Sequence, residues 1–281
     1  MKIILIPTDF SSNAMNAINY AVKFFKYQRC EMYFMHAYAD EVYSESSDMD
    51  TADFGVFKDE VEKKVDGALN KLLGELKILS PNPRHQYKTL SVFGSLIDSA
   101  NDFVDDKNID IVVMGTKGET DDQKLTFGSH TLQVLKYVQC PVLAIPANFE
   151  YVKPKKILFP TDYMVPYKRR ELKLLCDLAC SYRSEIHFLY LSNFEKLARR
   201  QEDNKMFLEG SLQDLTLMFE IVDSEDRTDT IKKYIEINDI QLLVMVNSRH
   251  SFLESMLHQS TIDQLGLAIK VPFLVMQNLV R

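Results

Sequence analysis

Short apolar runs alternate with helical patterns along the first half of the chain. The run Ile3–Ile6 is continuous, which is typical of a parallel strand covered on both faces. Apolar positions then recur at helical spacing to about Tyr27, and residues 11–13 (Ser-Ser-Asn) supply N-cap candidates. The same pattern continues, with strands predicted at Glu31–Ala37, Gln86–Phe93, the run before Gly115 and Pro141–Ile145, and helices at about Val56–Lys77, Ser95–Asp106 and Phe127–Val138.

This alternation of strands and helices predicts an open, doubly wound α/β sheet with helices on both faces. Between the second strand and the next helix lies an acidic, serine-rich stretch, Asp40–Asp53. Its composition predicts a mobile loop or an extra turn.

The second half repeats the first. The segment Lys155–Tyr163 (KKILFPTDY) repeats KIILIPTDF at a shift of 153 residues, and Ile240–Arg249 repeats Ile109–Gly118 at a shift of 131. The second copy is therefore shorter by 153 − 131 = 22 residues, lost from the middle, where the first copy has its acidic stretch. We predict two domains, residues 1–147 and 155–281, joined near residues 148–154.

Composition and charge narrow the class of protein. The 281 residues are 46% hydrophobic and 26% charged, as expected of a globular protein. No apolar run approaches the roughly 18–20 residues of a membrane span, and Asp9 interrupts the first apolar run, so a cytoplasmic protein with no membrane partner is predicted. The formal net charge of −7 argues against nucleic acid as the main partner.

The cysteines and one histidine have structural explanations. Cys176 and Cys180 lie four residues apart on a predicted helix, but no other metal-ligating pattern accompanies them. We therefore expect all four cysteines to be buried, reduced thiols. His36 falls inside an apolar strand, where a packed and hydrogen-bonded core histidine is expected before a ligand.

Glycines follow the fourth strand at a regular spacing. Gly115, Gly118 and Gly128 form the pattern G-x2-G-x9-G, and Ser129 follows directly. Glycine lets backbone N–H groups approach an anion, and a helix N-terminus adds free donors and partial positive charge. This pattern is compatible with two interpretations, a phosphate-binding loop and a purely structural turn. Asp9 has two interpretations as well, since a carboxylate at the end of the first strand can face a ligand or cap a helix.

The second copy lacks this glycine pattern. Val246, Arg249 and Gln259 occupy the glycine positions, and only Ser260 matches Ser129. Branched and long side chains would fill the space that close backbone approach to phosphates requires. A nucleotide site in the second copy is therefore predicted to be inactive.

The repeated Pro-Thr-Asp motif and the glycine pattern together resemble the universal stress protein family, in a tandem form with two domains. The resemblance covers nearly the whole chain. It implies two five-stranded parallel sheets of order 3-2-1-4-5, and ATP binding where the glycines are intact. That order brings the ends of the first and fourth strands together across a crevice.

The resemblance also implies which residues would contact the nucleotide. The adenosine would lie against Pro7, Thr8 and Asp9, with Ala37 beside the adenine. The ribose and first phosphates would contact Met114, Gly115, Thr116 and Gly118. The outer phosphates would be held by Gly128, Ser129, His130 and Thr131, the hydroxyls adding donors to the helix-end amides. The acidic loop Glu119–Lys124 makes Mg²⁺ an expected companion of ATP.

These observations predict an ATP-binding stress-response regulatory protein, with the nucleotide in the first domain only. The alternative is a nucleotide-free interaction scaffold with two vestigial sites. No phosphate loop or catalytic set is found, so no enzyme is predicted, although slow ATP hydrolysis stays open. Gly115→Val is expected to abolish binding with little loss of stability.

The duplication predicts an assembly as well. The two fifth strands, Val142–Ile145 and Phe273–Met276, are short and apolar, and an open apolar edge favours aggregation. We expect them to pair within one chain as an internal pseudo-dimer. A homodimer of whole chains is compatible with this arrangement but not required.

Overall fold

The first half forms the predicted alternation of strands and helices. The structure is a computed structural model that describes residues 1–46, 49–117, 127–191, 196–224, 226–248, 253 and 270–278. The strands of the first half are β1 (Lys2–Pro7), β2 (Cys30–Ala37), β3 (His85–Val92), β4 (Ile111–Gly115) and β5 (Val142–Ile145). Its helices are α1 (Ser12–Phe24), α2 (Ala39–Glu45), α3 (Thr51–Leu79), α4 (Leu96–Lys107) and α5 (Ser129–Tyr137).

The acidic stretch 40–53 differs from its prediction. Most of it is helical, because α2 covers its first part and α3 begins at Thr51. The carboxylate of Asp50 caps α3 by accepting the N–H groups of Ala52 and Asp53, at 3.0 and 2.9 Å. Acidic side chains at helix starts are stabilising, so the composition that suggested a loop instead supplied a cap.

The second half follows the same order with shorter connections. Its strands are β6 (Lys156–Thr161), β7 (Glu185–Leu191), β8 (Thr216–Val222), β9 (Leu242–Asn247) and β10 (Phe273–Gln277). Its described helices are α6 (Arg169–Tyr182), α7 (Arg199–Ser211) and α8 (Arg227–Ile237).

Within the described residues the ten strands form one continuous sheet. Its order is β3-β2-β1-β4-β5-β10-β9-β6-β7-β8. The first half therefore has the predicted order 3-2-1-4-5, and the second half repeats that order in the opposite direction across the sheet. The prediction of two repeated parallel sheets is confirmed, and the repeats share a single sheet.

The two fifth strands meet at the centre of this sheet. They are antiparallel, with Phe273 opposite Ala144, Leu274 opposite Leu143 and Val275 opposite Val142. Pairing satisfies the backbone groups of both edges inside one chain and leaves these apolar side chains buried. The expected internal pairing of the fifth strands is therefore observed.

Helices cover both faces of the sheet, as predicted. One buried cluster lies under α1, α3, α6 and α7 and includes Ile18, Leu69, Leu175 and Leu208. The other lies under α4, α5 and α8. In the described part of the chain, no helix is both long and apolar enough to pass through a bilayer.

The cysteines are all free, but they are not all buried as expected. Cys30 and Cys140 are buried, Cys176 is half-buried and Cys180 is exposed. The sulfur atoms of Cys176 and Cys180 are 3.9 Å apart on neighbouring turns of α6. Four-residue spacing on a helix brings side chains to one face, and here that face is at the surface.

Candidate functional site

The Pro-Thr-Asp motif forms a tight turn from β1 into α1. Pro7 and Thr8 are buried, and Thr8 Oγ1 accepts the N–H of Phe10 at 3.0 Å. The exposed carboxylate of Asp9 accepts the N–H of Ser11 at 3.0 Å, and Ser11 Oγ caps α1 by accepting the Ala14 N–H. Asp9 thus supports the turn at the helix start, and its exposed side chain lies just after the carboxyl end of β1.

His36 lies at the rim of the crevice and not in the core. Its Nδ1–H donates to the carbonyl of Thr8 at 2.6 Å, and its ring stacks on Phe10 at 5.0 Å between centroids. The predicted packing and hydrogen bonding are therefore present, but at the carboxyl end of β2. This contact links the ends of β1 and β2 where the crevice opens.

Gly115 is a glycine for a reason that the sequence did not reveal. A Cβ built at this position would lie 3.1 Å from the carbonyl oxygen and 3.3 Å from the carbonyl carbon of Asn13. The backbone of the first turn of α1 occupies the space that a side chain would need, and backbone cannot move aside as a flexible side chain can. This close contact argues against the expectation that Gly115→Val costs little stability, because Val would crowd the contact between β4 and α1.

The start of α5 is tied to the end of β4 and lacks a side-chain cap. The N–H of Gly128 donates to the carbonyl of Thr116 at 2.7 Å, and the N–H of Thr116 donates to Ile145. Gly128 is the N-cap residue and offers no side-chain oxygen to the first helical N–H groups. Ser129 and His130 are exposed in this first turn. The helix N-terminus therefore presents backbone donors and partial positive charge to the crevice.

Thr131 does not have the orientation that the sequence suggested. Its hydroxyl is buried and donates to the carbonyl of Gly115 at 3.0 Å. A hydroxyl has one proton to donate, so Thr131 cannot also donate to a phosphate. Its observed contact fixes α5 against β4 and positions the donors of Ser129 and His130.

The remaining predicted residues fall into two groups. Met114 is buried at the end of β4, and Ala37 is half-buried at the end of β2, on the same edge of the sheet. Gly118 and the acidic loop Glu119–Lys124 lie outside the described residues. The described part of the predicted site is thus brought together along the carboxyl ends of β1, β2 and β4.

Helix α2 adds residues that sequence reasoning missed. Glu41 Oε2 lies 3.7 Å from His36 Nε2, and Asp40 Oδ2 lies 3.8 Å from His130 Nε2 at the start of α5. Two carboxylates therefore stand over the crevice, one at each side. The sequence did contain a signal for these residues. The acidic stretch belongs to the segment that is present only in the first copy, and that copy also keeps the glycine pattern.

The corresponding crevice of the second half is nearly filled. A cavity of about 20 Å³ remains beside Thr161, Asp162 and Val246, enough for about one water. Tyr167 and Leu253 line it, and the Tyr167 hydroxyl is hydrogen-bonded to Thr161 Oγ1 at 2.5 Å. Arg249, Gln259 and Ser260 lie outside the described residues, so the filling is due to Val246, Tyr167 and Leu253 among those described.

Comparisons with known proteins agree with this architecture. Residues 1–146 match the sequence profile of the Universal stress protein family. A universal stress protein of Methanocaldococcus jannaschii is 30% identical over 153 residues, which cover 51% of this chain and 94% of that protein.

Solved structures extend the likeness over both halves. The crystal structure of a universal stress protein from Archaeoglobus fulgidus aligns with a TM-score of 0.72 at 16% identity, covering 98% of this chain and 96% of that one. A Pseudomonas aeruginosa protein described as a universal stress protein aligns with a TM-score of 0.57 at 13% identity, covering 99% and 93%. The profile match, the curated relative and the shared fold lead to one conclusion: the chain belongs to the universal stress protein family.

Proposed function

We propose that this chain is a cytoplasmic ATP-binding regulatory protein that binds one adenine nucleotide in the crevice of its first half. Bound ATP changes the surface around the crevice. This change determines which partner proteins the chain binds in the stress response. No residue is assigned a catalytic role. The carboxylate of Asp9, the strongest candidate for a base, accepts a backbone N–H and orients the turn.

The observation that carries the proposal is the uncapped start of α5. The side chains of Ser11, Ser95 and Asp226 satisfy the first free N–H groups of α1, α4 and α8, whereas α2, α5, α6 and α7 have no such side-chain bond. At α5 the cap is Gly128, and the first turn faces the crevice with exposed Ser129 and His130. A phosphate group would accept the N–H groups that a side chain would otherwise satisfy.

The other predicted residues fit supporting roles. Ribose and the first phosphates would contact Met114, Thr116 and Gly118, while Pro7, Thr8 and Asp9 would face the adenosine and Ala37 the adenine. Gly115 and Thr131 would act indirectly, because their contacts with Asn13 and with each other hold α1, β4 and α5 in place. The nearly filled second crevice supports a single nucleotide per chain.

Magnesium fits the site as a companion of ATP and not as a resident ion. Among the described residues no group of three metal-ligating side chains is found. Mg²⁺ keeps several waters and is commonly held by substrate phosphates with one or two carboxylates. Asp40 stands beside His130 at the phosphate end and could supply such a carboxylate. The ion would also offset repulsion between the phosphates and the acidic residues of α2.

A nucleotide-free scaffold is the second candidate. Two observations favour it: the Asn13 backbone already accounts for Gly115, and Asp40 adds negative charge beside the start of α5. Calorimetric titration with ATP and Mg²⁺ separates the candidates. One site per chain is expected for nucleotide binding, and no heat of binding at millimolar ATP would support the scaffold.

Ser129→Glu tests the role of α5 in this titration. A carboxylate in the first turn repels phosphates, so ATP affinity should fall at least about tenfold. The same charge favours the helix dipole by about 0.3–1 kcal/mol, so the melting temperature should not fall. The matched control is Gln133→Glu, an exposed position one turn further along α5, which should bind ATP as the parent does. Equal affinities for the two variants would refute the phosphate position.

A further inference from the structure

A cavity of about 870 Å³ lies between the two halves, away from the crevice. One wall is a face of α6, including Lys168, Arg170, Lys173 and Asp177. The opposite wall comes from the amino ends of first-half strands and from Gln28 and Arg29 before β2. Its volume is within the roughly 300–1,000 Å³ range of small-molecule sites.

The charge of the lining is opposite to that of the whole chain. The formal net charge of the chain is −7. The cavity is nevertheless lined by five cationic side chains and three carboxyl groups, namely Lys2, Arg29, Lys168, Arg170 and Lys173 with Asp110, Glu171 and Asp177. A concave surface lined by cations focuses positive electrostatic potential. Such a surface attracts anions even on a protein whose net charge is negative.

The carboxyl groups offset only part of this charge. Asp177 pairs with Lys2 at 3.0 Å, and Asp110 accepts the backbone N–H of Ile3 at 2.8 Å. Glu171 is buried, and burial raises its pKa to about 7, so its charge is only partly developed near neutral pH. Arg29 and Lys173 form no ion pair with any residue that the structure describes. The cavity therefore keeps a surplus of positive charge.

One neutral group in the cavity is also incomplete. The amide of Gln28 donates through Nε2 to Ser181 Oγ at 3.2 Å, which bridges the two halves. Its carbonyl oxygen is buried and has no hydrogen-bond partner among the described residues. An oxygen that is closed off from solvent is also closed off from a ligand in this open cavity, so we assign Gln28 to the contact between the two halves.

Beside the cavity, aromatic side chains pack the two halves directly against each other. Tyr20 packs on Phe24 and Tyr151 at 5.4 and 5.3 Å between ring centroids, and Phe24 packs on Tyr182 at 5.7 Å. These rings hold α1, the linker and α6 together. The two halves thus have a tightly packed contact of their own beside the charged cavity.

We propose that this cavity is a second ligand site, distinct from the ATP crevice, for a small phosphorylated metabolite that carries at least two phosphate groups. Arg29, Lys168, Arg170 and Lys173 bind the phosphates. Because both halves supply these residues, the occupied site stabilises their contact. The proposal does not depend on nucleotide binding in the crevice.

The test uses the full chain and two probes, inorganic tripolyphosphate and fructose 1,6-bisphosphate. Titrations are made in the Ser129→Glu background as well as the parent, so that binding at the crevice is recognised. The cavity variant is Arg29→Glu with Lys173→Glu. The control is Lys63→Glu with Lys71→Glu, two exposed lysines on α3 that give the same change in net charge.

We expect one tripolyphosphate per chain in the parent and in Ser129→Glu. The affinity should fall at least about tenfold in the cavity variant and stay within about twofold in the control. Circular dichroism checks folding, and Arg29→Gln with Lys173→Gln replaces the cavity variant if charge reversal prevents folding.

Three results would overturn the proposal. One is no binding of either probe to the parent, and another is equal loss in the cavity variant and the control. The third is loss of tripolyphosphate binding in Ser129→Glu alone, which would assign the anion to the crevice. Failure of ATP to bind the parent would leave the tripolyphosphate result intact, so the two proposed sites fail independently.

Discussion

The two crevices of this chain share one turn and differ in what fills the space above it. In the first half the residue after Pro-Thr-Asp, Phe10, has φ of 60°, and in the second half Tyr163 has φ of 55°. Thr161 Oγ1 accepts the Tyr163 N–H at 2.9 Å, and Asp162 accepts the Met164 N–H at 2.9 Å, which repeats the contacts of Thr8 and Asp9. The turn survives in the half whose crevice is filled.

This comparison separates the fold from the site. A left-handed residue with a bulky side chain is costly, and both halves retain it because Thr and Asp side chains satisfy the turn's N–H groups. The Pro-Thr-Asp motif therefore belongs to the fold. Among the described residues, the first half is distinguished by the small residue Gly115, against Val246 and Tyr167 in the second.

The comparison depends on both crevices belonging to one sheet. Phe273→Lys is designed to disrupt the pairing of β5 with β10 at the centre of that sheet. Phe273 is fully buried on β10 opposite Ala144 and packs near Phe127. Removing the ring costs about 3–5 kcal/mol, and burying an ammonium group adds to it. We expect a loss of at least about 4 kcal/mol in denaturant unfolding, with increased binding of an apolar dye. Phe273→Leu is the control. If Phe273→Lys loses no more stability than Phe273→Leu, the contact between β5 and β10 is not tightly packed.

Helices α1 and α6 follow the first strand of each half, and they differ in one titratable group. Helix α1 contains no acidic residue, whereas Glu171 is buried in the first turn of α6 and burial raises its pKa from 4.5 to about 7. The folded state then holds this proton at pH values where the unfolded chain releases it. Stability contributed by the neutral form is therefore full below about pH 4.5 and is lost as pH rises to about 7.

The measurement is the difference between the parent and Glu171→Gln as a function of pH. Gln keeps an oxygen for the Lys168 N–H, which Glu171 Oε2 accepts at 3.4 Å. The variant should gain about 3 kcal/mol relative to the parent between pH 4.5 and 8, because one pKa unit corresponds to ~1.4 kcal/mol. A constant difference across this range would show that Glu171 ionises normally in the folded protein.

Exchanging the residues at the ends of β4 and β9 tests whether Val246 keeps the second crevice from binding a nucleotide. Gly115→Val should lower stability by about 1–3 kcal/mol by overpacking on Asn13, and it should also abolish ATP binding. Val246→Gly should not create a second nucleotide site, since Tyr167 and Leu253 still line the space. Calorimetry below each melting temperature gives both results. Two ATP sites in Val246→Gly would mean that this one side chain closes the second crevice.

The smallest effect is expected from the matched pair Asp9→Asn and Asp162→Asn. An amide oxygen can still accept the turn's N–H group, so each variant should lose less than about 1 kcal/mol of stability. Only Asp9→Asn should weaken ATP binding, because the proposed nucleotide site lies in the first crevice. If both variants leave ATP affinity unchanged, the role of Asp9 is confined to the turn.

The sequence by itself determined the repeat, the order of elements and the position of the candidate site. Strands with continuous apolar runs and helices with one apolar stripe follow from local periodicity, which the printed sequence carries directly. The repeated Pro-Thr-Asp motif and the glycine pattern then located the crevice at the ends of β1 and β4. The apolar fifth strands also predicted the pairing of β5 with β10.

Only the tertiary structure decided what each of these residues contacts. Gly115 meets the backbone of Asn13, Thr131 turns inward to the Gly115 carbonyl, and Tyr167 occupies the second crevice. The cationic cavity likewise combines Arg29 from one half with Lys173 from the other. These contacts join residues distant along the chain, and their geometry depends on how helices pack on the sheet. Local periodicity contains no information about that packing, because it reports which face of an element is apolar and not which atoms lie opposite it.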